Sequence, residues 1–221
     1  MASVIENILI WSEVWALLIP LYFIITLKKL PGYTRPVRYY VIAALLLNIA
    51  ANTIANQRSL GLHLRWHNNI AIYNFHSIIR LLLFSWFFIS LKQPYLTRIK
   101  VIIPILFLAF AIVNFTFFES FFNKKISSIV HSLEAICLLF YCLQYYLYLL
   151  REELYSFKKL PSFWIVTGLS LFVVSSFPIY LYYDVAVARD TIFARSIWQV
   201  QEAAFIIFCI LTSIGLYVSK Q

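Results

Sequence analysis

The chain has 221 residues, 62% of them hydrophobic and only 12% charged, with a mean hydropathy of +0.83. A water-soluble domain of this length cannot hide that much apolar surface, so lipid and neighbouring helices must be the solvent for most side chains. The net charge of +9 does not point to nucleic acid, because the basic residues form no stripe or block and sit in short groups between apolar segments.

No Lys or Arg precedes the first apolar run and no small-residue cleavage site follows it, so a cleavable signal is not expected. Seven apolar runs follow, each long enough to span a bilayer, at about 5–27, 37–57, 68–91, 101–119, 127–150, 162–183 and 196–218. The expected fold is an all-α integral membrane protein. It is a single bundle of seven transmembrane helices that fills the chain, with no soluble domain. The connections are short, which makes sequential helices antiparallel.

Polar residues recur at helical spacing. Helix 1 carries Glu13 and an internal Pro20. Helix 2 has Asn48, Asn52 and Asn56 at i, i+4 and i+8, one polar stripe in its second half. Helix 3 has Tyr73, His76, Ser77 and Arg80 on one face, with Asn74 beside them. Helix 4 has Asn114 and Thr116 near its end and Pro104 inside. Helix 5 has Ser127, His131 and Glu134; helix 6 has Ser175, Ser176 and Tyr180 beside Pro178; helix 7 has Gln199 and Glu202. Pro20, Pro104 and Pro178 are expected to kink or locally open their helices. Cys137, Cys142 and Cys209 all lie in apolar runs without metal-site spacing and read as free buried thiols.

Orientation follows from the basic residues. The first, third and fifth connections and the C-terminus hold eleven Lys and Arg (Lys28, Lys29, Arg35, Arg38, Lys92, Arg98, Lys100, Arg151, Lys158, Lys159, Lys220). The opposite side holds six (Arg58, Arg65, Lys124, Lys125, Arg189, Arg195). The positive-inside rule then places the N-terminus outside and the C-terminus in the cytoplasm.

Four ionisable residues lie within the spans: Glu13, Arg80, Glu134 and Glu202. Such groups cost about 2.5–3.5 kcal/mol each at a helix centre on insertion scales, so they mark function or pairing. All four are on odd-numbered helices. The three glutamates each lie about two turns, roughly 10 Å, below the outer end of a run. The inner halves are poorer in polar groups, with stretches such as Leu81-Leu82-Leu83 and Phe205-Ile206-Ile207-Phe208. This asymmetry predicts a polar, partly hydrated pocket open to the outside, closed over an apolar inner half. An open channel would need polar lining in both halves. The alternative is that these groups only join helices, through hydrogen bonds worth about 0.6 kcal/mol each and one buried ion pair. Three glutamates against one arginine leave two negative charges if all ionise. A carboxyl must keep its proton, a histidine must charge, or a cationic group must bind, and Arg80 is expected to pair with one glutamate.

Other chemistries are weaker. His63 and His67, at i and i+4, could be drawn with His76, His131, Glu134 and Glu202 as the metal site of an intramembrane hydrolase. They read better as interfacial loop histidines, and no serine or aspartate signature accompanies them. Retinal is excluded because helix 7 has no interior lysine; Lys220 is at its end. A small-solute carrier with proline hinges is an alternative, but no proline-glutamine pair opens a helix and Gln93-Pro94 has the reverse order. No cofactor and no metal is implied.

Three stretches carry a resemblance: Tyr73-Asn74-Phe75-His76-Ser77 running into Leu81-Leu82-Leu83-Phe84-Ser85-Trp86-Phe87-Phe88; Glu134; and Phe163-Trp164-Ile165-Val166-Thr167-Gly168-Leu169. In these the chain resembles a group of small uncharacterised bacterial seven-helix membrane proteins and, more remotely, the seven-helix sensor regions of histidine kinases. The resemblance implies sensing or scaffolding in a bacterial inner membrane, not a known reaction. Arg80 departs from the group, whose members carry an acidic residue nearby.

The expected function is a sensory or signal-relay module. Its pocket would use Glu13, Asn48, Asn52, Tyr73, Asn74, His76, Arg80, His131, Glu134, Gln199 and Glu202 to take a small polar or cationic ligand from outside. The expected partners are membrane lipids and a protein at the cytoplasmic face or within the membrane, with Arg151-Glu152-Glu153 as a candidate contact. The alternatives are a structural subunit of a larger membrane complex, then a carrier, then an enzyme.

Overall fold

A computed structural model describes residues 11–27, 29–57, 61, 68–94, 96–122, 126–152 and 156–219. Among them are seven α-helices and no strand. They are α1 (Ser12–Thr26), α2 (Arg35–Ala55), α3 (Ile70–Ser90), α4 (Thr97–Val113), α5 (Ser128–Arg151), α6 (Pro161–Arg189) and α7 (Thr191–Val218). A 3-10 turn, Gly32–Thr34, leads into α2, and a π-helical turn, Asn114–Phe118, ends α4. Six helices, α2 to α7, are long and apolar enough to cross a membrane. The described part of α1 has 15 residues and is shorter; the span expected from residue 5 begins outside the described residues.

The helices are where apolar periodicity places them, with one difference. Helix α6 runs to Arg189 and α7 begins at Thr191, so the expected outer connection of a dozen residues shrinks to Asp190. Asp190 is extended, and its Oδ1 accepts the backbone N–H of Phe193 at 3.3 Å, an N-cap for α7. The interruption in hydropathy at residues 184–195 is helical on both sides of the single extended residue Asp190.

Six helices form a closed ring in the order α1, α2, α3, α5, α6, α7 and back to α1. Helix α4 stands outside this ring against α3 and α5. It leaves Val101, Ile102, Ile105, Leu106 and Ile112 exposed, an apolar surface suited to lipid. The lower half of the ring is filled by aromatic side chains. Tyr40, Phe84, Phe87, Phe88, Tyr141 and Phe208 are each almost fully buried, and neighbouring rings lie 4.9–6.3 Å apart. Such edge and offset contacts add to the stability that burial supplies. They close that half of the ring.

The prolines are accommodated within continuous helices. Pro104 has no N–H for the Lys100 carbonyl one turn back. The Tyr141 hydroxyl of α5 donates to that carbonyl instead, at 2.7 Å. Tyr141→Phe should therefore destabilise the protein by about 1 kcal/mol, and by less in a Pro104→Ala background, where the helix supplies its own donor. Thermal unfolding of the two single variants and the double variant in detergent measures this coupling; additive losses would rule it out. The sequence reading also overlooked Lys100 as a buried charge. It is 1% exposed, and its Nζ donates to Gln93 Oε1 at 2.9 Å across the α3–α4 turn.

Candidate functional site

Arg80 and Glu134 meet between α3 and α5, two parallel neighbours in the ring. Both face inward because each lies on a buried stripe: His76, Ser77, Arg80, Phe84 and Phe87 on α3, and His131, Glu134, Leu138, Tyr141 and Tyr145 on α5. The contact is bidentate. Nε of Arg80 donates to Glu134 Oε1, and Nη2 donates to Oε2 at 2.8 Å. Ser77 donates a third bond to Oε2 at 2.5 Å. The guanidinium also lies over the Phe172 ring of α6, 5.1 Å from its centroid. Planar, delocalised charge suits both contacts. The expected pairing of Arg80 with one glutamate is thus realised with Glu134, which has no exposed surface.

Next to this pair, toward the N-terminal ends of α3 and α5, lies a cavity of about 20 Å³ on the ring axis. All six ring helices line it: Glu13 from α1, Asn48 from α2, Tyr73, His76, Ser77 and Arg80 from α3, His131 from α5, Phe172 and Tyr180 from α6, and Trp198, Gln201 and Phe205 from α7. Ile126, just before α5, completes the wall. A water molecule needs roughly 10–15 Å³ measured this way, so the cavity has room for about one.

Helix-to-helix hydrogen bonds set its walls. Tyr73 donates its hydroxyl to Glu13 Oε2 at 3.2 Å, and Asn48 Nδ2 donates to the Glu13 carbonyl at 3.0 Å. Gln201 Nε2 donates to the Tyr180 hydroxyl at 2.8 Å. His131 Nδ1 lies 2.9 Å from the Ser127 carbonyl, one turn back on its own helix. The rings of His131 and Tyr180 meet edge to face at 5.0 Å, and His76 stacks on Tyr40 at 5.8 Å. Two buried acceptor-capable atoms of lining residues have no hydrogen-bond partner, Gln201 Oε1 and His76 Nε2.

The residues expected in the site divide into three groups. Glu13, Asn48, Tyr73, His76, Arg80 and His131 line the cavity, and Glu134 holds Arg80 at its floor. Asn52 and Glu202 are buried but outside the lining, with Glu202 close enough to Glu13 for the two carboxyls to interact electrostatically. Asn74 and Gln199 are elsewhere. Asn74 Nδ2 donates to the Phe121 carbonyl at 3.1 Å, tying α3 to the α4–α5 connection, and Gln199 is partly exposed.

Gln201, Trp198, Phe172, Phe205 and Ile126 were missed, and Ser77 and Tyr180 were noted as polar without being placed in the site. A signal for the first two was present, because Trp198, Gln201, Phe205, Phe208 and Thr212 repeat at three and four residues and define the inward face of α7. Gln199 falls one position off that face. Among the described residues no three His, Cys, Asp or Glu side chains converge to hold a metal ion. His63, His67 and Glu153 lie outside the described residues.

Comparison with known proteins identifies no match among family models, curated proteins or solved structures.

Proposed function

We propose that this chain is a sensory or signal-relay module of the bacterial inner membrane. Its N-terminus lies outside, and its outer-half polar site takes a small polar or cationic ligand and reports occupancy to a protein partner. The observation that carries this reading is the axial cavity, lined from all six ring helices. A ligand there touches every element that could move, and a helical ring sealed by aromatic packing passes a shift at one end to the other. The excess of Lys and Arg in alternate connections supports the orientation. At the opposite end, Pro94, Leu147, Tyr148, Arg151 and Glu152 border a groove of about 440 Å³, which supports an output surface where the sequence suggested one.

A photo-crosslinking residue at Tyr148, introduced in native membranes, tests the reading. A specific crosslinked partner whose yield changes with Glu13→Gln or Gln201→Leu, at equal expression, is the expected result. A yield indifferent to both variants would instead make the chain a structural subunit.

The ring order favours one second reading, a small-solute carrier. Helices α1–α3 and α5–α7 occupy the two halves of the ring, with α4 outside it, as two parallel three-helix units would. Under that reading no crosslink forms, and purified protein in liposomes exchanges solute by itself.

A further inference from the structure

We propose that the axial cavity is a binding site for a monovalent cation no larger than a water molecule, an alkali ion or ammonium, held chiefly by the Glu13 carboxylate, the Tyr73 hydroxyl and Gln201 Oε1. This inference rests on the reading of the outer half as a ligand site and names the class of ligand.

Size is the first constraint. About 20 Å³ admits one water-sized particle and excludes sugars, amino acids and nucleotides. Charge is the second. Arg80 spends Nε and Nη2 on Glu134, so that pair is neutral as a unit. Glu13 and Glu202 remain, two carboxyls within electrostatic reach of each other; the Arg80 charge also reaches Glu13 across the cavity, but neither carboxyl is in contact with a described cationic side chain. A buried carboxylate without a counter-charge is costly, and a bound cation supplies that charge.

The third constraint is the set of atoms left over. Gln201 is 5% exposed and His76 is 6% exposed. Gln201 commits its amide N–H to Tyr180, which leaves its carbonyl oxygen as the unpartnered atom. A buried amide oxygen without a donor is an uncompensated cost of about 1–3 kcal/mol that a cation removes. With its proton on Nδ1, His76 offers a lone pair at Nε2, a further acceptor for an ammonium N–H. The walls suit a positive charge as well: Tyr73, Trp198 and Phe205 line the same space, and aromatic rings attract cations.

Thermal unfolding in nanodiscs tests this, in the chlorides of sodium, potassium, ammonium and N-methylglucamine at equal ionic strength and pH. At least one of the three small ions should raise the midpoint saturably, following RT ln(1 + [L]/Kd), whereas the bulky organic cation should not. Glu13→Gln and Gln201→Leu should each weaken that ion's apparent affinity at least tenfold. Identical midpoints for the wild-type protein in all four salts would overturn the inference and leave the cavity to a water molecule. So would an ion effect that survives both substitutions. The salt comparison needs only wild-type protein, so a variant that fails to fold does not obscure it. A protein that shows the ion effect but leaves the Tyr148 crosslink indifferent to the site keeps this inference and loses the signal-relay reading.

Discussion

Arg80→Leu is expected to cost about 3–5 kcal/mol of stability, the usual loss when one member of a buried ion pair is removed. The loss has a definite origin. Glu134 has no exposed surface, and without the guanidinium it keeps only the Ser77 hydroxyl as a donor. It must then hold a bare charge in a low-dielectric interior or take up a proton. The Phe172 face also loses its cation. Glu134→Gln should be milder than Glu134→Leu, because an amide oxygen still accepts from Arg80 and Ser77. The double variant Arg80→Met, Glu134→Leu should recover most of the loss, since two apolar side chains leave no stranded charge. Unfolding of the four variants in mixed micelles gives the comparison. A double variant no more stable than Arg80→Leu alone would show that the site needs the charges themselves, not merely their mutual satisfaction.

The second large effect is expected at Gly215, where α7 packs against the start of α6. A Cβ built there lies 2.7 Å from the Pro161 carbonyl oxygen and 2.8 Å from Ile165 Cγ1. The first neighbour is backbone at the start of α6 and cannot swing aside. Gly215→Val should therefore force the helices apart and cost about 1–3 kcal/mol, the usual range for overpacking, with Gly215→Ala at the lower end. Gly168 faces the same interface with more slack, its nearest contact being Leu211 Cβ at 3.0 Å. Gly168→Ala should be the better tolerated of the two alanine substitutions. Small residues at such crossings let membrane helices approach closely where no hydrophobic effect drives them together. Folded yield after detergent extraction orders these variants; a Gly215→Val protein as stable as wild type would contradict the packing of α6 on α7.

These two positions bracket the protein's two kinds of cohesion. The α6–α7 seam relies on close backbone approach, whereas α3 and α5 are joined by charge. The axial cavity sits where both halves of the ring face each other, so altering either seam changes its walls. A variant at Gly215 that folds but shifts the ion response would show that coupling, even though Gly215 lies about four turns beyond Gln201 along α7.

What the sequence determined by itself is the set of helices and their polar bias. A span needs roughly 20 apolar residues in a row, a property of one segment that requires no knowledge of its neighbours. The observed helices agree with the apolar runs wherever hydropathy alone sets the boundary. The extra turns at the end of α6 and the start of α7 were not legible, because Arg189, Asp190 and Arg195 resemble a loop in composition although the backbone is helical on both sides of an extended Asp190.

The inward face of α5 was readable too, since Ser127, His131 and Glu134 share one stripe. Only the tertiary structure decided which glutamate meets Arg80 and that α4 leaves the ring. Those outcomes depend on the rotation of each helix about its own axis and on the order of helices around the ring. Both are set by side-chain packing between segments far apart in the chain, which local periodicity does not encode.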